Sequence, residues 1–179
     1  MAHDLRTQAQ SASPMGSSAF GVRPEFKRVE RAENPHIISL LEFYKRHRRA
    51  DGLLPRRLIP CRELMPLLQN LYLIEPVDAT GRDWRFRLAG TAIRHRFGIE
   101  VTGKLVRDIY TEDSVERPTE RYREVAFGRE VHILRGRFLG GGREFFDVEL
   151  LEFPVEGPIE GCETVAGALF VADEAENPA

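Results

Sequence analysis

The stretch Trp84-Arg85-Phe86-Arg87-Leu88-Ala89-Gly90-Thr91-Ala92-Ile93, running on through Phe97-Gly98 to Val101-Thr102-Gly103, decides how this chain is read. Trp84, Phe86 and Leu88 alternate with Arg85 and Arg87, the period-two pattern of a strand with one buried face. Gly90 predicts a sharp swing out of that strand, because glycine tolerates dihedrals that other residues resist. Thr91 offers a capping oxygen to a short helix. Ile93 and Phe97 stand four residues apart on that helix, and Gly98 closes it. Thr102-Gly103 repeats the same cap-and-turn chemistry at the next bend.

Upstream, Leu71-Tyr72-Leu73-Ile74 reads as a strand that stops at Pro76, and Asp78-Ala79-Thr80-Gly81 turns it back toward Trp84. Further back, Asn34-Pro35 is a helix start, with asparagine as N-cap and proline at the first helical position. Ile37, Leu40, Leu41 and Tyr44 share one face of that helix, flanked by Ile38 and Phe43, and the helix fades at Asp51-Gly52. Leu53 to Pro60 reads as an extended linker. Leu64, Leu67 and Leu68 suggest a short helix interrupted by Pro66. Downstream come a helical turn over Leu105 to Tyr110 and a longer helix from Ser114 to Gly128 that gathers Val115, Tyr122, Val125 and Ala126 on one face. Strands follow over Val131 to Phe138 and Arg143 to Phe153, joined through Leu139-Gly140-Gly141-Gly142, and a last strand runs from Val165 to Val171. Two hairpins separated by helices predict an α+β domain: an antiparallel five-stranded sheet covered on one face by short helices, with an N-terminal flanking helix.

The chain has 179 residues and a formal charge of −2, from 26 Lys+Arg against 28 Asp+Glu. That balance gives no whole-molecule attraction to a polyanion. Residues 1–33 are polar and lack an apolar face, so they are expected to be disordered, with a domain over 34–173 and a flexible tail over 174–179. Cys61 and Cys162 are too far apart in sequence to imply a disulfide framework. His3, His36, His47, His95 and His132 show no metal-ligand spacing. No apolar run approaches the ~20 residues of a membrane helix, and no secretory leader stands at the N-terminus. A cytoplasmic protein is expected.

The words Phe86-Arg87-Leu88-Ala89-Gly90-Thr91 and Thr102-Gly103 resemble the signature of the single-domain PAS-like family abundant in alphaproteobacteria. Arg48-Arg49, Leu54-Pro55-Arg56 and Leu150-Leu151-Glu152-Phe153-Pro154-Val155 extend the resemblance over Pro35 to Val171. Its motif residues here are Arg87, Gly90, Thr91, Gly98, Thr102 and Gly103. The family pattern would place an acidic residue between Pro55 and Pro60, where this chain has Arg56-Arg57-Leu58-Ile59.

The resemblance implies a stand-alone sensory or regulatory module whose cavity lies between sheet and helices. Phe86, Leu88, Ile93, Phe97, Tyr122, Val125, Leu134 and Phe146 are its expected lining, either around a small ligand or as a filled core. Gly136 and Gly167 would leave room there. No cofactor is expected. Cys61 precedes the first strand of the core motif and lacks the flavin-photochemical context, and neither His95 nor His132 has the surroundings of a haem ligand. No metal site and no enzyme signature is present.

Output is therefore expected through protein–protein contact, either as a sensor or as a non-sensing adaptor. Phe43, Arg48, Arg49, Arg56 and Arg57 form the candidate partner surface, and Ile38 with Phe43 the anchors of a homodimer. Nucleic-acid binding through the arginine-rich segment 45–57 is the alternative, disfavoured because no aromatic residues are interleaved with the basic ones.

Overall fold

A computed structural model describes residues 21–139, 147–158 and 161–171. Six strands form one antiparallel sheet: β1 (Arg23–Val29), β2 (Leu71–Pro76), β3 (Trp84–Ala89), β4 (His132–Leu139), β5 (Asp147–Val155) and β6 (Thr164–Val171), in the spatial order β1-β4-β5-β6-β2-β3. The helices are α1 (Pro35–His47), α2 (Thr91–Phe97), α3 (Val106–Ile109) and α4 (Glu116–Ala126), with a long 3₁₀ run over Arg62–Asn70 that contains Pro66.

The expected α+β class is what forms, with two differences in layout. The sheet has a sixth strand, and both of its faces are covered. Ile37, Leu40, Phe43 and Tyr44 of α1 pack with Leu64 and Leu67 on Leu73, Leu151, Phe153 and Ala168. On the opposite face, Ile93, Val106, Tyr122 and Val125 pack on Ile74, Phe86, Leu134 and Leu150. This two-sided cover is why β6 reads as a nearly continuous apolar run and why both β5 and β6 are buried along almost their whole length. The N-terminal flanking helix thus covers the second face of the sheet with four buried residues.

The sixth strand, β1, lies within the segment expected to be disordered; residues 1–20 lie outside the described residues. Its sequence Arg-Pro-Glu-Phe-Lys-Arg-Val lacks an apolar stripe because it is an edge strand. Charges and a proline suit an edge, where one row of backbone groups faces water. Backbone pairing with β4 and one inward ring, Phe26, hold it. Gly136 makes the close approach possible: a Cβ there would lie 2.0 Å from the Glu25 carbonyl oxygen and 2.8 Å from the Phe26 ring.

The start of α1 is built as its sequence predicts. The Asn34 side chain accepts hydrogen bonds from the backbone N–H of His36 at 2.9 Å and of Ile37 at 3.4 Å. The buried Glu149 carboxylate accepts from the Glu33 N–H at 2.9 Å and pairs with Arg135 at 3.2 Å, which fixes the chain entering the helix.

Candidate functional site

The decisive stretch forms β3 and α2, but by different means than its residues suggest. Gly90 has φ −66° and ψ 161°, dihedrals open to any residue, and Thr91 makes no capping hydrogen bond. Gly90 is needed for space instead: a Cβ would lie 2.3 Å from the Gln69 carbonyl oxygen and 2.4 Å from that of Leu68. Gly98 does end α2 in the left-handed conformation, φ 68°. Gly103, φ 84°, turns the chain back so that its N–H donates to the Phe86 carbonyl. Thr102 donates its backbone N–H to Glu100 at 2.9 Å. Arg87 is exposed, at a register shift: Leu73 faces Leu88 while the next residue, Ile74, faces Phe86. The extra residue flips the alternation. Leu88 therefore leaves the cavity face, is 37% exposed, and is corrected out of the expected lining.

Of the other expected lining residues, Phe86, Ile93, Phe97 and Tyr122 do meet around one slot. Val125 and Leu134 belong to the surrounding core without lining it, and Phe146 lies outside the described residues. Phe26, Tyr72, Tyr110, Arg121, Phe138, Leu150 and Leu169 complete the wall. The slot has a free volume of about 10 Å³, room for one water at most. The space over the two glycines is taken by rings from neighbouring strands: Phe26 fills that over Gly136 and Tyr72 that over Gly167.

Tyr72 and Arg121 of the slot wall belong to a buried polar cluster. His132, Glu152, Gly167 and Tyr72 stand in register across β4, β5, β6 and β2. Tyr72 therefore reaches over the middle strand to Glu152, and its hydroxyl donates to the carboxylate at 2.8 Å. Such a crossing needs glycine at position 167, where a Cβ would come 2.2 Å from the tyrosine ring. From α4, Arg121 donates through Nε at 2.7 Å and through a terminal nitrogen at 3.2 Å to the same carboxylate. Its guanidinium also lies 5.0 Å from the Tyr122 ring centroid and 5.8 Å from that of Phe26.

Glu152 is fully buried, so its charge depends on these partners. Burial is the largest single influence on Arg121 and opposes its charge, but the charge and hydrogen bonding of Glu152, together with Tyr122 and Tyr72, outweigh it and raise its pKa. Burial, then the neighbouring Glu152 charge, pushes the Tyr72 phenol well above its ordinary range. Burial likewise raises Tyr110 and, further, Tyr122. His132, also buried, turns its Nε2 outward to Glu130 at 3.2 Å. Among the described residues no group of three or more histidine, cysteine, aspartate or glutamate side chains could hold a metal, and no helix is long and apolar enough to cross a membrane.

The expected partner surface is changed by the structure. Phe43 is 2% exposed and packs against the sheet, so it is removed as an exposed anchor; Ile38, 43% exposed, remains at the surface. The basic residues do gather at the end of α1, but largely on partners of their own. Arg49 pairs with Asp51 and with Glu156 at 2.9 Å, and Arg46 with Glu63 at 2.7 Å. Arg48 lies over the Tyr44 ring, and Arg56 donates to the Ile59 carbonyl. Arg57 is exposed.

An antiparallel sheet with helices over an aromatic slot is the architecture of the PAS class. The PAS domain family model matches residues 33–170, most of the chain, so this protein belongs to the PAS domain family. Among solved structures, the PAS domain of Bordetella pertussis BvgS is similar at 19% identity, covering 64% of this chain and 85% of that one, with a TM-score of 0.41. No curated protein matches the chain.

Proposed function

We propose that this PAS domain is a sensory and regulatory module that takes its input at the aromatic slot and passes its output through protein–protein contact. The observation that supports the reading is the buried Tyr72–Glu152–Arg121 cluster, two of whose members, Tyr72 and Arg121, line a slot walled mostly by rings. An arginine–carboxylate pair in a core gains little stability over apolar residues of similar volume, so its presence beside a slot suits recognition of a polar group. Seven aromatic rings and one guanidinium suit a planar, mainly apolar molecule with one polar end. With a free volume of about 10 Å³ the slot is closed, so such a molecule enters by displacing rings rather than by filling a void. Phe26 is the ring best placed to yield, because it is carried by an edge strand. Catalysis is not part of the reading, because the Glu152 carboxylate is already engaged by three hydrogen bonds. A cytoplasmic homodimer remains within the proposal, with Ile38 as its exposed α1 residue.

The test is a thermal-shift screen of the full chain against planar aromatic acids, alcohols and amides. Saturable stabilisation is expected from some of them, and is expected to disappear when Phe97→Trp narrows the slot. Stabilisation by none, or by compounds indifferent to Phe97→Trp, would leave the domain a non-sensing adaptor.

A further inference from the structure

The 3₁₀ run Arg62–Asn70 presents three stripes, because residues three apart eclipse one another at three residues per turn. Leu64, Leu67 and Asn70 form the buried stripe. Met65 and Leu68 follow Arg62 on the second, and Pro66 and Gln69 follow Glu63 on the third. Both outward stripes line a groove of about 570 Å³ whose far wall is Leu88 and the start of α2. Of the four large apolar residues left exposed among the described residues, two meet here: Met65, 61% exposed, and Leu88, which the register shift turned to this face. Scattered exposed apolar residues are ordinary, whereas apolar residues gathered in one polar-rimmed groove mark an interaction site.

Positive charge borders the lining residues along the chain: Arg62 heads the stripe that carries Met65 and Leu68, and Arg87 directly precedes Leu88. Glu63, the one carboxylate on the 3₁₀ run, is engaged by Arg46 at 2.7 Å and faces His47 at 3.5 Å. Arg62 and Arg87, both exposed, have no carboxylate within ion-pair distance among the described residues. Glycine at position 90 lets α2 sit against the Leu68 and Gln69 carbonyls, which closes the groove's end.

We infer that this groove docks an acidic segment of a partner protein, which places a large apolar side chain between Met65 and Leu88 while its carboxylates meet Arg62 and Arg87. The inference rests on the reading that output leaves through protein contact, and it moves that output from the end of α1 to the junction of the 3₁₀ run, β3 and α2. An apolar floor without an aromatic ring favours a peptide over a nucleic acid, whose bases would need stacking partners.

A random dodecapeptide library displayed on phage, selected on the immobilised full chain, tests this. Enriched sequences are expected to carry a large apolar residue flanked by aspartate or glutamate. Their synthetic peptides should bind about tenfold more weakly to Met65→Asp and to Leu88→Asp, the range of an interface anchor. Affinity should fall with added salt, and less steeply in the Arg62→Ser/Arg87→Ser double variant. Met65→Asp should keep the wild-type melting temperature, because Met65 is largely outside the core. No enrichment, enrichment of basic sequences, or binding indifferent to these variants would overturn the inference. So would self-association of the wild type that Met65→Asp abolishes, which would give the groove to a second copy. None of these readouts involves the slot, so failure here leaves the sensory reading to be judged by its own screen.

Discussion

Glu152 is a charge with no exposure, held by one arginine and one phenol. Removing one member of such a pair strands the other in a low-dielectric core. Glu152→Gln is therefore expected to destabilise the domain by about 3–5 kcal/mol in urea unfolding, and Arg121→Met/Glu152→Leu together by much less. Equal losses in the single and double variants would show that the pair does not act as a unit. Gly167 tests the same cluster from below. Gly167→Ala drives a methyl group into the Tyr72 ring, with an expected cost of about 1–3 kcal/mol as overpacking. That cost should largely vanish in a Tyr72→Ala background, a coupling a double-mutant cycle measures. Gly90 shows why residue type alone is a partial guide. Its sequence context announces a bend, and a bend is there. Yet the glycine serves the approach of the Gln69 carbonyl, a contact that no local pattern encodes.

At the scale of elements, periodicity located most of the helices and strands, because amphipathic faces are written in the order of residues. What it missed arises between elements. β1 has one inward ring and no stripe, so its order depends on β4 and on Gly136, more than a hundred residues away. The register shift at Leu73/Ile74 moves Leu88 from slot to groove, and strict alternation across Phe86-Arg87-Leu88 hides it. Phe43 looked surplus to one buried face because its partner face on the sheet was not visible in the sequence. Of the candidate slot, the rings of β3 and α2 were legible, whereas Arg121, Glu152 and Tyr72 are three residues from three distant elements joined by one carboxylate. The element-scale expectation concerns β1. Phe26→Ala should cost about 1–3 kcal/mol, less than a fully buried phenylalanine. Hydrogen exchange should speed at the β1 amides well before those of β5 and β6. Uniform acceleration across the sheet would show that β1 is no separate unit.

For the whole molecule, the chain's four tyrosines, Tyr44, Tyr72, Tyr110 and Tyr122, all have phenols raised by burial. A group with a raised folded pKa contributes its full stability below the unfolded value, and loses it as pH climbs toward the folded one. Stability should therefore hold up to about pH 10 and decline beyond it. Tyrosinate absorbance should appear together with loss of circular dichroism, in one cooperative step. A tyrosine titrating with an ordinary midpoint in the folded protein would contradict the burial described here.

The central claim is that the slot beneath β1 is an input that opens to a small planar molecule. Its most direct test is a methyl spectrum of isoleucine- and leucine-labelled full chain, recorded against a library of aromatic fragments. The methyl groups of Ile93, Leu150 and Leu169 line the slot, while Leu68 and Leu88 line the groove. At least one fragment is expected to shift the three slot methyls together and saturably, with Leu68 and Leu88 unmoved. Fragments that shift only the groove methyls, or none at all, would show that the slot is a closed core and that the domain does not sense through it.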